Sequence, residues 1–204
     1  MVAKSPGRNI SLEALREEAR SCTRCDLYKD ATQTVFGEGA ENARVVFVGE
    51  QPGDREDREG HPFVGPAGQL FDAILEEVGI DRKKTYVTNA VKHFKFTPRG
   101  KRRIHAKPNV GEIRACHWWL EHELALLRPD VAVALGATAV RALTGKALPI
   151  TKIRGSVIES QDAVPVYATV HPSFLLRIPD PEARKAERQR FTEDMRKVEA
   201  MMRG

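Results

Sequence analysis

An apolar run, Ala43-Arg44-Val45-Val46-Phe47-Val48, that gives way at once to a glycine- and proline-rich loop constrains this chain more than any other feature. The run reads as a buried strand bounded by turn residues. The loop, GEQPGDREDREGHPFVGPAG over 49–68, carries five glycines and three prolines, so its backbone turns sharply and approaches something closely. Leu70, Phe71, Ile74, Leu75 and Val78 follow at helical spacing, with Gly79 placed to close the helix as its C′ residue. Strand, glycine-rich loop and helix in this order put the loop at the carboxyl end of a sheet, where open α/β folds bind ligands. Glu50, first off the strand, and Phe63 can then meet in one pocket.

The alternation continues along the chain. Short apolar runs at 85–91, 131–136 and 164–170 predict three more strands. Ser11 predicts the N-cap of a first helix that buries Leu12, Leu15 and Ala19 and reaches Cys22, with Ile10 and Leu15 as a hydrophobic staple. Ile113, Cys116, Leu120, Leu124 and Leu127 share one face of a helix predicted over about 110–127. A short helix over 139–143 follows, and Phe191, Met195, Val198 and Met202 mark the last one. The pattern predicts an α/β fold, a mostly parallel sheet covered on both faces, in one domain spanning 1–204.

With 204 residues, 41% hydrophobic and 30% charged, the chain has enough apolar material for a globular core. No apolar run approaches the ~20 residues of a membrane span, and Met1-Val2-Ala3-Lys4-Ser5-Pro6 lacks the apolar segment of a signal peptide. The expectation is a cytoplasmic protein with no membrane contact, in which paired disulfides are out of place. The net charge of +5 is concentrated. Between Lys92 and Arg114 stand eight basic residues and a single acid, Glu112, so that window carries +7 and the remaining chain is slightly acidic. A basic segment on an acidic body, next to the pocket elements, points to a phosphate-backbone ligand rather than to a merely solvated loop.

Three constellations bear chemistry. The strands end at Glu50-Gln51, at Asn89 and at His171-Pro172-Ser173, and these ends converge on one edge of a parallel sheet. Singly, Asn89 reads as a turn cap, His171 as a satisfied core histidine and Phe63 as core. Together they form a pocket suited to a flat, polar-edged ring such as a nucleobase, stacked on Phe63 and read by Asn89. The cysteines form the second set. Cys22-x-x-Cys25, with Cys116 on a later helix, suggests metal or redox chemistry, and three thiolates leave a tetrahedral site one ligand short, with His93 and His117 as nearby candidates. Spacing does not separate zinc from an iron–sulfur cluster, and Cys116 also suits a plain core position. The third set is Lys101-Arg102-Arg103-Ile104-His105, where adjacent cations favour the neutral, nucleophilic form of the imidazole.

GEQPG at 49–53, PFVGPAG at 62–68, VTNAVKH at 87–93, KRRIH at 101–105 and HPS at 171–173 make the chain similar to the UdgX type of uracil-DNA glycosylase, related to the family-4 iron–sulfur enzymes. The resemblance runs from about Cys22 to Arg177. It implies a three-layer α/β/α sandwich around a four-stranded parallel sheet. It implies a 4Fe–4S cluster held by Cys22, Cys25, His93 and Cys116, with His93 standing where family-4 enzymes carry cysteine. Phe63 would stack on uracil, Asn89 would read its pairing edge and His171 would bond its O2, with Gly49, Gly53 and Asp54 among the substrate contacts. Glu50 would stabilise the electron-poor sugar, with Gln51 beside it. Lys101, Arg102, Arg103, Ser173, Leu175 and Arg177 would touch DNA, and 173–176 would form the loop that wedges into it.

The function so implied is excision of uracil from DNA, preferably single-stranded, with His105 attacking C1′ and remaining bound to the abasic site in a single turnover. The protein would act as a monomer, associated with the nucleoid when on DNA. The alternatives are an ordinary hydrolytic uracil-DNA glycosylase in which His105 only contacts DNA, and a non-enzymatic iron–sulfur nucleic-acid binder or redox sensor.

Overall fold

A computed structural model describes residues 10–203; the N-terminal hexapeptide read above lies outside the described residues. Helix α1 (Leu12–Ala19) leads into a 3-10 turn (Asp26–Lys29), β1 (Glu38–Gly39) and β2 (Val45–Gly49). The loop holds α2 (Asp54–Glu59) and runs into α3 (Pro66–Glu77). Next come β3 (Tyr86–Asn89), the pair β4 (Phe96–Arg99) and β5 (Arg102–His105), and α4 (Val110–Leu127). The chain closes with β6 (Val131–Leu135), α5 (Ala137–Thr144), α6 (Ile150–Ile153), β7 (Val157–Ile158), β8 (Val166–Thr169), α7 (Pro172–Leu176) and α8 (Pro181–Arg203).

The main sheet has the order β1-β3-β2-β6-β8-β7. Its four central strands are parallel, as expected, and two-residue antiparallel strands, β1 and β7, are added at the edges. These edge strands are too short for any periodic signal. In β2, Val46 and Val48 face one core cluster while Val45 and Phe47 face the other. The same alternation puts Ala132 and Ala134 of β6 on the first face and Val131, Val133 and Leu135 on the second. Parallel pairing aligns Val46 with both Tyr86 and Ala132, so the pattern carries across the sheet. Helices α1, α4 and α5 cover the first face, and α3 and α8 the second, giving the three-layer α/β/α arrangement.

Ser11 caps α1 by accepting from the Ala14 N–H (3.1 Å), but the helix stops at Ala19 rather than at Cys22. The Cys22 N–H instead closes a turn on the Ala19 carbonyl. The basic stretch, which sequence reading treated as a broken segment, is an antiparallel hairpin with Gly100 at φ +58° in its tip and Phe96 opposite His105. Among the described residues no helix is long and apolar enough to cross a membrane.

Chain order places the site. From β2 the chain moves to β3 on one side, then crosses to β6 on the other, so the sheet's direction of growth reverses between β2 and β6. The crevice at this switch point lies at the carboxyl ends of the strands, beside Glu50 and Gly136.

Candidate active site

A cavity of about 1440 Å³ opens at this crevice, and Glu50, Phe63, Asn89, His105 and His171 all line it. Phe63 forms one wall in a left-handed backbone conformation (φ +60°), unusual for an aromatic residue and a mark of local constraint. The constraint has a visible source. A Cβ on Gly68 would collide with the Phe63 carbonyl, so glycine lets the start of α3 press against that turn. A Cβ on Gly49 would strike both the Asn89 side-chain oxygen and the Phe63 ring, so Gly49 keeps amide and ring close together at the end of β2. The Phe63 and His171 rings lie near-parallel, 29° apart with centroids separated by 6.3 Å.

His171 precedes α7, and its Nδ1 accepts from the Ser173 backbone N–H (3.1 Å), with Ser173 Oγ at 2.8 Å. This assigns the ring proton to Nε2 and makes that nitrogen a donor. Burial lowers the His171 pKa to about 4, with Arg177 and His105 acting in the same direction and Glu50 against it. It is therefore a neutral donor at ordinary pH. Arg177 in turn donates to Ser173 Oγ (2.8 Å), which steadies the turn.

Glu50 accepts from Thr138 Oγ1, and its Oε1 lies 3.2 Å from His105 Nε2. Burial raises the Glu50 carboxyl, but the bonds from His105 and Thr138 and the two nearby imidazoles outweigh it and hold it below its ordinary value. An ionised carboxylate thus faces a half-exposed imidazole across the mouth of the cavity. Thr138 escaped sequence reading. Its one clue is its place two residues after Gly136, at the end of an apolar run.

The hairpin that carries His105 is anchored at three points. The Gln51 amide donates to the carbonyls of Lys95 (3.0 Å) and Ala106 (3.1 Å) and accepts from the Lys95 N–H (3.3 Å). Lys95 pairs with Glu112 at 2.9 Å. Arg103 binds Asp54 (2.5 Å) and the buried Asp57 (2.6 Å) beneath the faces of Phe94 and Phe96. Gln51, expected among the catalytic groups, is a hairpin tether here. Asp54 lines the cavity, yet Arg103 and Arg58 occupy its two oxygens, and Arg103 is turned inward rather than toward a nucleic acid. Gly53 lies on the cavity wall, where its N–H, like that of Gly65, donates to Glu56 (3.1 and 2.8 Å). Glu56, also missed in the sequence, clasps both ends of the loop that presents Phe63.

Lys101 and Arg102 are exposed at the hairpin tip. Arg177 is exposed and Ser173 half-buried at the cavity edge. Leu175 departs from expectation. It is 1% exposed in the core, whereas Phe174 (42%) and Leu176 (46%) face solvent. Residues 172–176 are a helical turn, so neighbouring side chains point in different directions and only one of the three packs inward.

Cys22, Cys25 and Cys116 are free thiols, and Cys22 lies close enough to the other two to add to burial in raising their pKa values. Cys22 accepts from Trp119 Nε1 and Cys116 from the Lys92 N–H, each at 3.1 Å. Burial pushes the Cys116 thiol up to about 12 against the pull of Lys92. His93 Nδ1 is buried without a partner, while its Nε2 meets Thr34 Oγ1 at 2.9 Å. Among the described residues, no group of three or more His, Cys, Asp or Glu side chains could hold a single metal ion. His117, the other candidate from sequence, points to Asp162 at 3.7 Å. Three thiols, two of them accepting N–H donors, and an orphan imidazole nitrogen are side chains of the kind a polynuclear cluster can take as ligands.

The fold and site together are a largely parallel sheet whose switch point carries an aromatic wall, a buried amide, a carboxylate and a neutral imidazole. Residues 36–196 match the Uracil DNA glycosylase superfamily, and the chain belongs to that family. It is 39% identical to the type-4 uracil-DNA glycosylase of Thermotoga maritima, over 96% of this chain and 97% of the relative. It is 35% identical to the type-4 enzyme of Sulfurisphaera tokodaii (92% and 83% covered) and 34% identical to that of Archaeoglobus fulgidus (92% of each).

Proposed function

We propose that this protein excises uracil from DNA, preferably single-stranded, and retains the abasic sugar as a covalent adduct on His105. The observation that carries the reading is the 3.2 Å approach of His105 Nε2 to Glu50 Oε1 at the mouth of the cavity that Phe63, Asn89 and His171 line. Uracil stacks on Phe63 and offers its pairing edge to Asn89. As the C1′–N1 bond breaks, its electron pair leaves with uracil, and the Nε2–H of His171 donates to the O2 where negative charge gathers. One such preorganised donor contributes about 3 kcal/mol.

The positive charge left on the sugar is stabilised by the Glu50 carboxylate. Glu50 takes the Nε2 proton of His105 as the electron pair of that N–H bond, freed on Nε2, forms the bond to C1′. The product is a neutral, sugar-substituted imidazole, a poor leaving group. Water, the nucleophile of an ordinary glycosylase, is outcompeted because Gln51, Lys95 and Arg103 fix the hairpin over the pocket. Lys101, Arg102 and Arg177 supply cations for the DNA backbone, Ser173 supports His171, and Phe174 and Leu176 replace Leu175 as the apolar surface that supports the extruded nucleotide.

Cys22, Cys25, His93 and Cys116 would hold a 4Fe–4S cluster. When bound, the cluster supplies structural cross-linking of 22–25, 93 and 116 and no step of base excision. Thr34 is placed to accept the second ring proton of His93.

The test is intact-mass measurement under denaturing conditions after incubation with single-stranded uracil-containing DNA. A mass increase equal to the oligonucleotide minus uracil, one water less than the free abasic strand, and absent in His105→Ala, is the expected result. Uracil release with no adduct would reduce the protein to the hydrolytic class, and binding without release would leave only a nucleic-acid binder.

A further inference from the structure

A second groove, of about 530 Å³, adjoins the active-site cavity and shares Lys107, Ala137 and Thr138 with it. Thr138 is the residue that donates to Glu50, so the groove begins on the side where the sugar would sit, not at the base-reading end beside Asn89. Its walls combine two features. Lys107 and Arg141 supply positive charge, and among the described residues neither enters an ion pair, unlike Lys95 and Arg103 close by. Val110, 40% exposed, forms an apolar wall with Leu148 and Pro149. No aspartate or glutamate lines the groove.

We propose that this groove binds the nucleotide next to the extruded uridine in a single strand, its phosphate between Lys107 and Arg141 and its base against Val110, Leu148 and Pro149. The inference rests on the uracil-excising reading and extends it to the path of the strand. Cations beside an apolar wall suit a nucleotide of any sequence, because every base offers an apolar face and every linkage a phosphate. Where α8 lines the main cavity the charges are mixed, and Arg154 and Arg190 are taken up in ion pairs with Glu187 and Asp194. Lys107 and Arg141, with no acid in their groove, are cations left for a phosphate.

The experiment compares wild type, Arg141→Glu and Val110→Ser, each in a Glu50→Gln background that blocks turnover. Three single-stranded uracil oligonucleotides serve as probes: one extended on both sides of the uridine, one ending at the uridine on its 5′ side, and one ending on its 3′ side. Both substitutions should raise Kd several-fold on the extended strand and lose that penalty on one truncated strand while keeping it on the other. Arg141→Glu should also flatten the salt dependence by about 0.7 in log Kd per log salt, the share of one phosphate contact on a single strand. A penalty absent throughout, kept on both truncated strands or lost on both would overturn the proposal. Uracil release by the protein with native Glu50, assayed alongside, separates this failure from failure of the excision reading itself.

Discussion

Gln51 donates its side-chain amide to the carbonyl of Ala106 at 3.1 Å, one residue beyond His105. With its second bond to the Lys95 carbonyl, the glutamine ties both strands of the hairpin to the loop that carries Glu50. Replacing Gln51 by alanine removes about 1 kcal/mol per bond from this tether. The adduct should then form about tenfold more slowly, while single-turnover uracil release changes less. Timed denaturing gels read against free uracil check this split. Equal losses in both would place Gln51 at the chemistry rather than at the hairpin.

The pH dependence follows from His171 and Glu50. His171 titrates near 4 when folded, below the unfolded value of about 6.5, so between those values the unfolded chain binds more protons. Stability attached to neutral His171 is therefore present above about pH 6.5 and is lost as pH falls toward 4. Glu50 is also depressed and acts in the same direction. Protonating His171 would set an Nδ1–H against the Ser173 N–H, which pushes the turn away. Uracil release should hold steady from neutral pH down to about 5 and fall below it, and a rate–pH profile with parallel melting curves tests this. A rising acid limb would contradict it.

Lys92 and Glu123 form a 2.5 Å ion pair with both side chains fully buried, and Tyr86 (2.9 Å) and Thr88 (3.0 Å) also donate to the carboxylate. Lys92→Met strands that carboxylate and should cost about 3–5 kcal/mol, whereas adding Glu123→Gln should recover a good part of the loss. Denaturant melts of the single and double variants measure the coupling.

Leu175→Ala should destabilise the fold by about 2–5 kcal/mol through the cavity it leaves. Phe174→Ala should leave the melting temperature unchanged and weaken binding to uracil-containing DNA. Thermal melts and a binding titration on the two variants separate the inward residue from the outward one. The reverse pattern would return Leu175 to the DNA surface.

His93→Ala should lose visible absorption from the proposed cluster, and Trp119→Phe should keep the colour but shift its reduction potential negative, because an N–H donor to the Cys22 sulfur is removed. Spectra and voltammetry of anaerobically purified protein check both. An unchanged spectrum in His93→Ala would remove His93 from the ligand set.

The amino-acid sequence alone determined the four central strands, the main helices and the edge of the sheet where the pocket lies, but not the short edge strands or the basic hairpin. Val45 to Val48, Val131 to Leu135 and the stripe from Ile113 to Leu127 carry their periodicity locally, and burial of alternate or every third-to-fourth side chain needs no knowledge of distant partners. Glu50, Asn89 and His171 were legible because each stands at a strand end, and parallel strands bring such ends together. Only the tertiary structure decided what depends on contacts between distant segments. It turned Arg103 inward onto Asp54 and Asp57, made Gln51 a tether, buried Lys92 against Glu123 and packed Leu175 while leaving Phe174 exposed. The segment between Cys25 and Glu50, opaque in sequence, gains its meaning in the same way, with Thr34 against His93 and Phe36 edge-on to Trp119. A charge or an amide has no fixed role until folding chooses its partner, and that choice is made across dozens of residues where no local pattern records it.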